Sequence, residues 1–144
     1  MTVHDLIVSR KETFSISENA TVHDAARYLR DKRVRAVGVL DAADRLVGVV
    51  SQSDISDKVS AENKCPAWMR VSEIMTRELV TVTPEVALDE CLRRMEKYGI
   101  FHLAVVDAKG SYCGMISVMD LLQIVASDHK ARADMFEALL FPQR

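Results

Sequence analysis

Gly48-Val49-Val50-Ser51-Gln52-Ser53-Asp54 and Gly114-Met115-Ile116-Ser117-Val118-Met119-Asp120 write one pattern, G-x-x-S-x-x-D, twice in the chain. Sliding the sequence along itself by 66 residues brings the two copies into register and aligns 13–55 with 79–121 without a gap. Arg27 then meets Arg93, Val39 meets Val105, Asp41 meets Asp107 and Ala42 meets Ala108. The identities are few, but the apolar pattern holds position by position. Self-similarity at a fixed period is the mark of a chain built from repeated units.

Outward from the motif, each copy reads the same way. Val22, Ala25, Ala26 and Leu29 fall at i, i+3, i+4, i+7, as do Leu88, Cys91, Leu92 and Met95. Each set makes one apolar stripe on an amphipathic helix. Thr21, three residues before Asp24, suits the first helix start. Ala87 replaces that threonine in the second copy, where Thr83-Pro84 is expected to supply the cap and a first-turn proline. Two short β-rich runs follow each helix: 36–40 and 46–50, then 103–106 and 112–116. Polar turns at Asp41–Asp44 and Asp107–Gly110 make each pair a hairpin signal. Both runs are nearly continuous in apolar residues, so both strand faces are expected to be covered. Short strands at 14–16 and 80–82 precede the helices, and second helices are expected near 53–59 and 118–127. The fold class is therefore α/β (α+β), two repeats of strand-helix-strand-strand-helix sharing one core. The divisions are 1–59 for the first repeat, 60–70 for a linker, 71–127 for the second repeat and 128–144 for a helical tail. Met135, Phe136, Leu139 and Leu140 line one face of that tail.

Composition narrows the function classes. The chain has 144 residues, 49% of them hydrophobic and 28% charged, enough to bury a core without disulfides or metal. A formal charge of -2 and a pI near 6.1 argue against DNA, which demands a basic footprint. No apolar run approaches the roughly 20 residues of a membrane span. Met1-Thr2-Val3-His4-Asp5 has no leader character, so a cytoplasmic chain is expected. Cys65, Cys91 and Cys113 are odd in number and far apart, as reduced thiols would be. His4, His23 and His129 show no metal-ligand spacing. Met69, Met75, Met95, Met115, Met119 and Met135 read as core or interface filler, and Trp68, beside Pro66, as a residue packing a hinge, ahead of a base-stacking role.

The order of elements, the Asp41/Asp107 turns, the doubled G-x-x-S-x-x-D and the lead-in Val71-Ser72-Glu73-Ile74-Met75-Thr76 together resemble the CBS domain. Val3-His4-Asp5-Leu6-Ile7 is a looser lead-in to the first copy. The resemblance covers residues 2 to about 127 and implies a tandem pair, a Bateman module, with pseudo-two-fold symmetry. Such pairs have two clefts between the repeats. They often bind adenosine-containing ligands there, and many dimerise. They usually regulate another protein and are not catalytic themselves.

Ser51-x-x-Asp54 and Ser117-x-x-Asp120 have a plain structural role as capping boxes with aspartate in place of glutamate. A carboxylate at a helix start can also accept from both hydroxyls of a ribose, and a serine hydroxyl can donate to phosphate. The resemblance assigns the first role to Asp54 and Asp120 and the second to Ser51 and Ser117. It also turns the residues before the second strand, Val34-Arg35 and Phe101-His102, toward the cleft. Arg35 and His102 are then candidate phosphate ligands; a solvated charge and a hydrogen-bonded edge histidine are the alternatives. The segments 9–14 and 75–80 flank the adenine on this reading, with Thr76 reaching the ligand or capping its own turn. One departure stands out. Many members carry proline inside the second strand, where this chain has Gly38 and Ala104.

The expected ligand is AMP, ADP or ATP, ahead of S-adenosylmethionine or NADH. The expected output is a conformational or oligomeric change, in a homodimer, read by a separate protein effector. A dimerisation module with vestigial clefts is the competing reading. An enzyme using Asp54 or Asp120 as a base ranks last, because no second catalytic group sits at a definable spacing.

Overall fold

The computed structural model describes residues 1–125 and 129–140. It contains two three-stranded sheets of the same topology. In the first, β1 (Ser15–Ser17) runs parallel to β2 (Ala36–Leu40), which pairs antiparallel with β3 (Leu46–Ser51). In the second, β4 (Thr81–Val82) is parallel to β5 (His102–Val106), and β5 is antiparallel to β6 (Tyr112–Ser117). The crossovers from β1 to β2 and from β4 to β5 are the expected amphipathic helices, α2 (Val22–Lys32) and α5 (Leu88–Tyr98). The other helices are α1 (Val3–Val8), α3 (Gln52–Ile55), α4 (Val71–Ile74), α6 (Val118–Val125) and α7 (His129–Leu140).

The hairpin turns repeat down to single atoms. Asp41 Oδ1 accepts from the amides of Ala43 and Arg45 at 2.9 Å each. Asp107 Oδ1 accepts from Lys109 and Ser111, also at 2.9 Å. An aspartate that folds its side chain onto the backbone ahead of it holds a turn by itself. Burial of the strands is uneven. Ala36 to Val39 and Leu103 to Val105 are covered on both faces, whereas β3 and β6 bury only alternate residues. The middle strand of each sheet is the one the expectation of full cover describes.

The expected single core is two, one for each repeat, and the two lead-ins cross over between them. Val71, Ile74 and Met75 complete the core formed by Val22, Leu29, Val37, Val39 and Val50. Val3, with Leu6 and Ile7 beside it, completes the core of Val82, Leu88, Met95, Leu103 and Ile116. Backbone bonds fix both crossings. Val22 N donates to Met69 O and Val71 N to Ala20 O, both at 2.8 Å. Val3 N donates to Val86 O and His4 N to Pro84 O, both at 2.9 Å. Burying a valine is worth roughly 1.5–3 kcal/mol, so each repeat depends on a segment that belongs by sequence to the other.

That crossing corrects one expectation. Thr83-Pro84 does not cap α5. The helix begins after Ala87, which offers no side-chain cap, and the carbonyls of Pro84 and Val86 are taken by α1. Trp68 is a second correction. It is 86% exposed, because Met69 is the residue from this stretch that turns inward. Met119 is exposed as well, while Met75 and Met95 are core. On α7 Met135 and Leu139 are half-buried, and Phe136 and Leu140 are exposed. Residues 126–128 and 141–144, which hold the expected end of the second repeat and of the tail, lie outside the described residues.

The seam between the sheets explains the missing proline. A Cβ on Gly38 would sit 2.6 Å from the ring of Tyr112, so glycine makes room for that ring. Gly38 N donates to the Tyr112 hydroxyl at 3.1 Å, a bond that proline has no N–H to make. The hydroxyl in turn donates to Phe14 O at 3.0 Å. Burial pushes the Tyr112 hydroxyl pKa up to about 12, against the pull of the Gly38 amide. Tyr112→Phe should cost about 1–3 kcal/mol in urea unfolding, because it strips a partner from two backbone groups. The unfolded tyrosine ionises near pH 10. Wild-type stability should therefore fall as pH rises from 10 through 12, and the phenylalanine variant should lack that contribution.

Candidate ligand clefts

Ser51 and Ser117 end their strands and start their helices, and both cap as the spacing predicts. Ser51 N donates to Asp54 Oδ2 at 3.0 Å, and Asp54 N returns a bond to Ser51 Oγ at 3.2 Å. Ser117 N donates to Asp120 Oδ2 at 2.8 Å, and Asp120 N to Ser117 Oγ at 3.2 Å. Each box holds a carboxylate at the positive end of a helix. The carbonyls of Arg35 and Phe101 accept the next amides, Gln52 N and Val118 N, at 2.9 and 3.0 Å. Arg35 and Phe101 thus mark where β2 and β5 meet the two helix starts.

Each carboxylate is met by the other repeat's lead-in. Thr76 Oγ1 donates to Asp54 Oδ1 at 3.2 Å. Arg10 Nη2 donates to Asp120 Oδ2 at 3.0 Å. Arg10 and Thr76 are equivalent in the 66-residue register. The backbone of Thr76 also bridges Val49 in both directions, at 2.8 and 3.0 Å. Arg10 reaches the corresponding carbonyl, Met115 O, with its side chain instead.

The surroundings differ. Asp54 is 7% exposed and also receives Lys58 Nζ at 2.8 Å. Asp120 is met by Arg10, and the His102 imidazole lies close enough to feel its charge. His102 pairs with Ser117 across the strands. Burial pushes its imidazole below the ordinary histidine range; the Asp120 carboxylate pulls it back up, and the Arg35 charge pushes it further down. The structure therefore brings Ser117, Asp120 and His102 together at one helix start, and Ser51, Asp54 and Thr76 at the other, where the Arg35 carbonyl also lies. Val34 packs against the first core, and Phe101 is 60% exposed. Arg10 and Lys58 are the residues that reading the motifs does not single out. Arg10 lies in the segment 9–14 expected beside the adenine and is the register partner of Thr76, and Lys58 was legible only as a cation four residues beyond Asp54.

A groove of about 860 Å³ runs between residues 76–81 and α5. It lies outside both carboxylates, and its arginines are already paired, Arg93 with Asp89 and Glu90, Arg94 with Glu90. Among the described residues no cluster of His, Cys, Asp and Glu could hold a metal, and no helix is long and apolar enough to cross a membrane.

Two like halves, each completed by the opposite repeat, define a class of paired-repeat modules. The CBS domain model matches residues 3–61 and again 71–127, and the chain belongs to that family. It is 33% identical over 96% of its length to the CBS domain-containing protein CBSCBSPB2 of Arabidopsis thaliana, of which it spans 25%. It spans 38% and 60% of two other curated relatives. A protein with CBS domains from Burkholderia ambifaria superimposes with a TM-score of 0.81 at 30% identity, over 89% of this chain and 96% of that one. The CBS domain pair of protein MJ0100, solved in complex with 5′-methylthioadenosine and S-adenosyl-L-methionine, gives 0.79 at 26%, over 88% and 97%.

His102 ties the cleft to pH. The unfolded imidazole takes its proton near pH 6.5, and the folded one only at lower pH. Stability should fall as pH drops below 6.5, and His102→Gln should flatten that decline. Urea midpoints at pH 7.5 and 5.5 measure both.

Proposed function

We propose that the chain is a regulatory, non-catalytic module that binds a phosphorylated adenosine, AMP, ADP or ATP, between its two repeats. One observation carries this reading: each capped carboxylate lies where residues of the opposite repeat converge. A ribose held by that carboxylate touches both halves at once, so its binding changes with their relative arrangement. A ligand transmits a signal only through such a difference in affinity between two states. The adenosine compounds bound by the MJ0100 pair support the ligand class. The Arg10 guanidinium on Asp120 supports phosphate over the cationic sulfonium of S-adenosylmethionine. The output passes to a separate effector protein or through assembly of a homodimer, for which Met119 and Leu140 offer exposed apolar surface.

A thermal-shift panel of AMP, ADP, ATP, S-adenosylmethionine and NADH tests this. At a hundredfold excess over Kd a phosphorylated adenosine should raise Tm by roughly 5–10 °C. Asp120→Ala should weaken that ligand about 10- to 100-fold, the loss expected for hydrogen bonds to a charged group. Silence with every compound, alongside a stable dimer, would leave the chain a structural dimerisation module.

A further inference from the structure

The two carboxylates are not equally available. Asp54 spends both oxygens inside the chain. Its Oδ2 accepts from Ser51 N and Ser51 Oγ, both at 3.0 Å, and its Oδ1 accepts from Lys58 Nζ at 2.8 Å and Thr76 Oγ1 at 3.2 Å. An ionised carboxylate has about four acceptor positions, so these four donors saturate it. Lys58 goes further and donates to Ile74 O at 2.8 Å, which ties the first repeat's helix to the second repeat's lead-in.

The backbone is shaped for that tie. After α3 the chain continues through Ser56–Ser60 as a π-turn, with Ala61 N bonded to Ser56 O at 2.8 Å and Lys64 N to Val59 O at 2.9 Å. The register counterpart in the second repeat, α6, is a regular α-helix, and Lys58 is replaced there by Ile124. Such π-turns within helices are frequent at functional sites.

Asp120 is the opposite case. Among the described residues its donors, Ser117 N and Arg10 Nη2, both meet Oδ2, and none meets Oδ1. The carboxylate is 32% exposed, against 9% for Asp54, and the Arg10 side chain is 31% exposed. A half-exposed arginine on a long stem re-aims at small cost, and its guanidinium fits a phosphate as well as a carboxylate.

We infer that Lys58 closes the first cleft as a structural clasp and leaves the Asp120 cleft as the single nucleotide site, with Arg10 turning from Asp120 to the ligand phosphate on binding. This rests on the function proposed above and assigns its stoichiometry. Titration calorimetry with AMP, ADP, ATP and S-adenosylmethionine in turn provides the test. Wild type should bind one nucleotide per chain, Asp120→Asn should lose at least tenfold in affinity, and Lys58→Met should gain a second site. Titrated with AMP and, in addition, with unphosphorylated adenosine, Arg10→Met should weaken the first and strengthen the second, because it frees the carboxylate and removes the phosphate partner; unchanged AMP affinity would overturn the role of Arg10. If Lys58→Met does not fold, amide spectra of wild type decide. Shifts confined to Arg10 and Ser117–Asp120 support the inference, and equal shifts at Ser51–Asp54 overturn it. Two wild-type sites, an Asp120→Asn variant that binds normally, or a folded Lys58→Met variant with one site would also overturn it while leaving the function intact. Silence of wild type toward all four compounds would instead sink the function itself.

Discussion

Neither repeat closes its own core. Val3 and Val71, both fully buried, are supplied across the molecule, and their amides are fixed to carbonyls of the half they enter. A sheet of three strands with one crossover helix leaves an apolar face uncovered, and burial of that face dominates the energetics of so small a unit. The crossing therefore places the rest. The segment that seals a core continues directly to the residue that meets the opposite carboxylate: α4 leads to Thr76 and Asp54, and α1 to Arg10 and Asp120. Stability and site geometry come from the same few residues.

Much of this was legible in the sequence because it is local. The Asp41 and Asp107 turns, the Ser–Asp boxes and the helical stripes all depend on neighbours within a few positions. The 66-residue register then doubles each signal, so that a weak pattern seen twice identifies the fold. What was not legible is long-range. Arg10 meets Asp120 across 110 residues, and Tyr112 meets Phe14 across 98. No periodicity encodes either contact. Thr83-Pro84 misleads for the same reason: its local helix-start character is overridden by α1, which takes the carbonyls there. Trp68 misleads because size and hydrophobicity do not say which neighbour, here Met69, finds the space inside.

The repeats have kept their capping boxes and let the surroundings drift. Gly38 faces the Tyr112 ring, whereas its register counterpart is Ala104 and the counterpart of Tyr112 is Leu46. Lys58 is answered by Ile124, and Thr76 by Arg10. The parts that must satisfy buried backbone groups are constrained, because an orphaned amide costs as much in either half. The parts that only tune charge and space beside them are free to differ, and they make two similar frames into unlike sites.

The exchange of lead-ins also says what the joining segment between the repeats accomplishes. A single repeat of this design fills its core only by trading lead-ins with a second copy, and such a trade would depend on protein concentration. Residues 60–70 turn the trade into an event within one chain, at the high effective concentration of a short tether. The protein is in this sense a dimer made permanent by a peptide bond. Its two halves were then able to become different without losing one another.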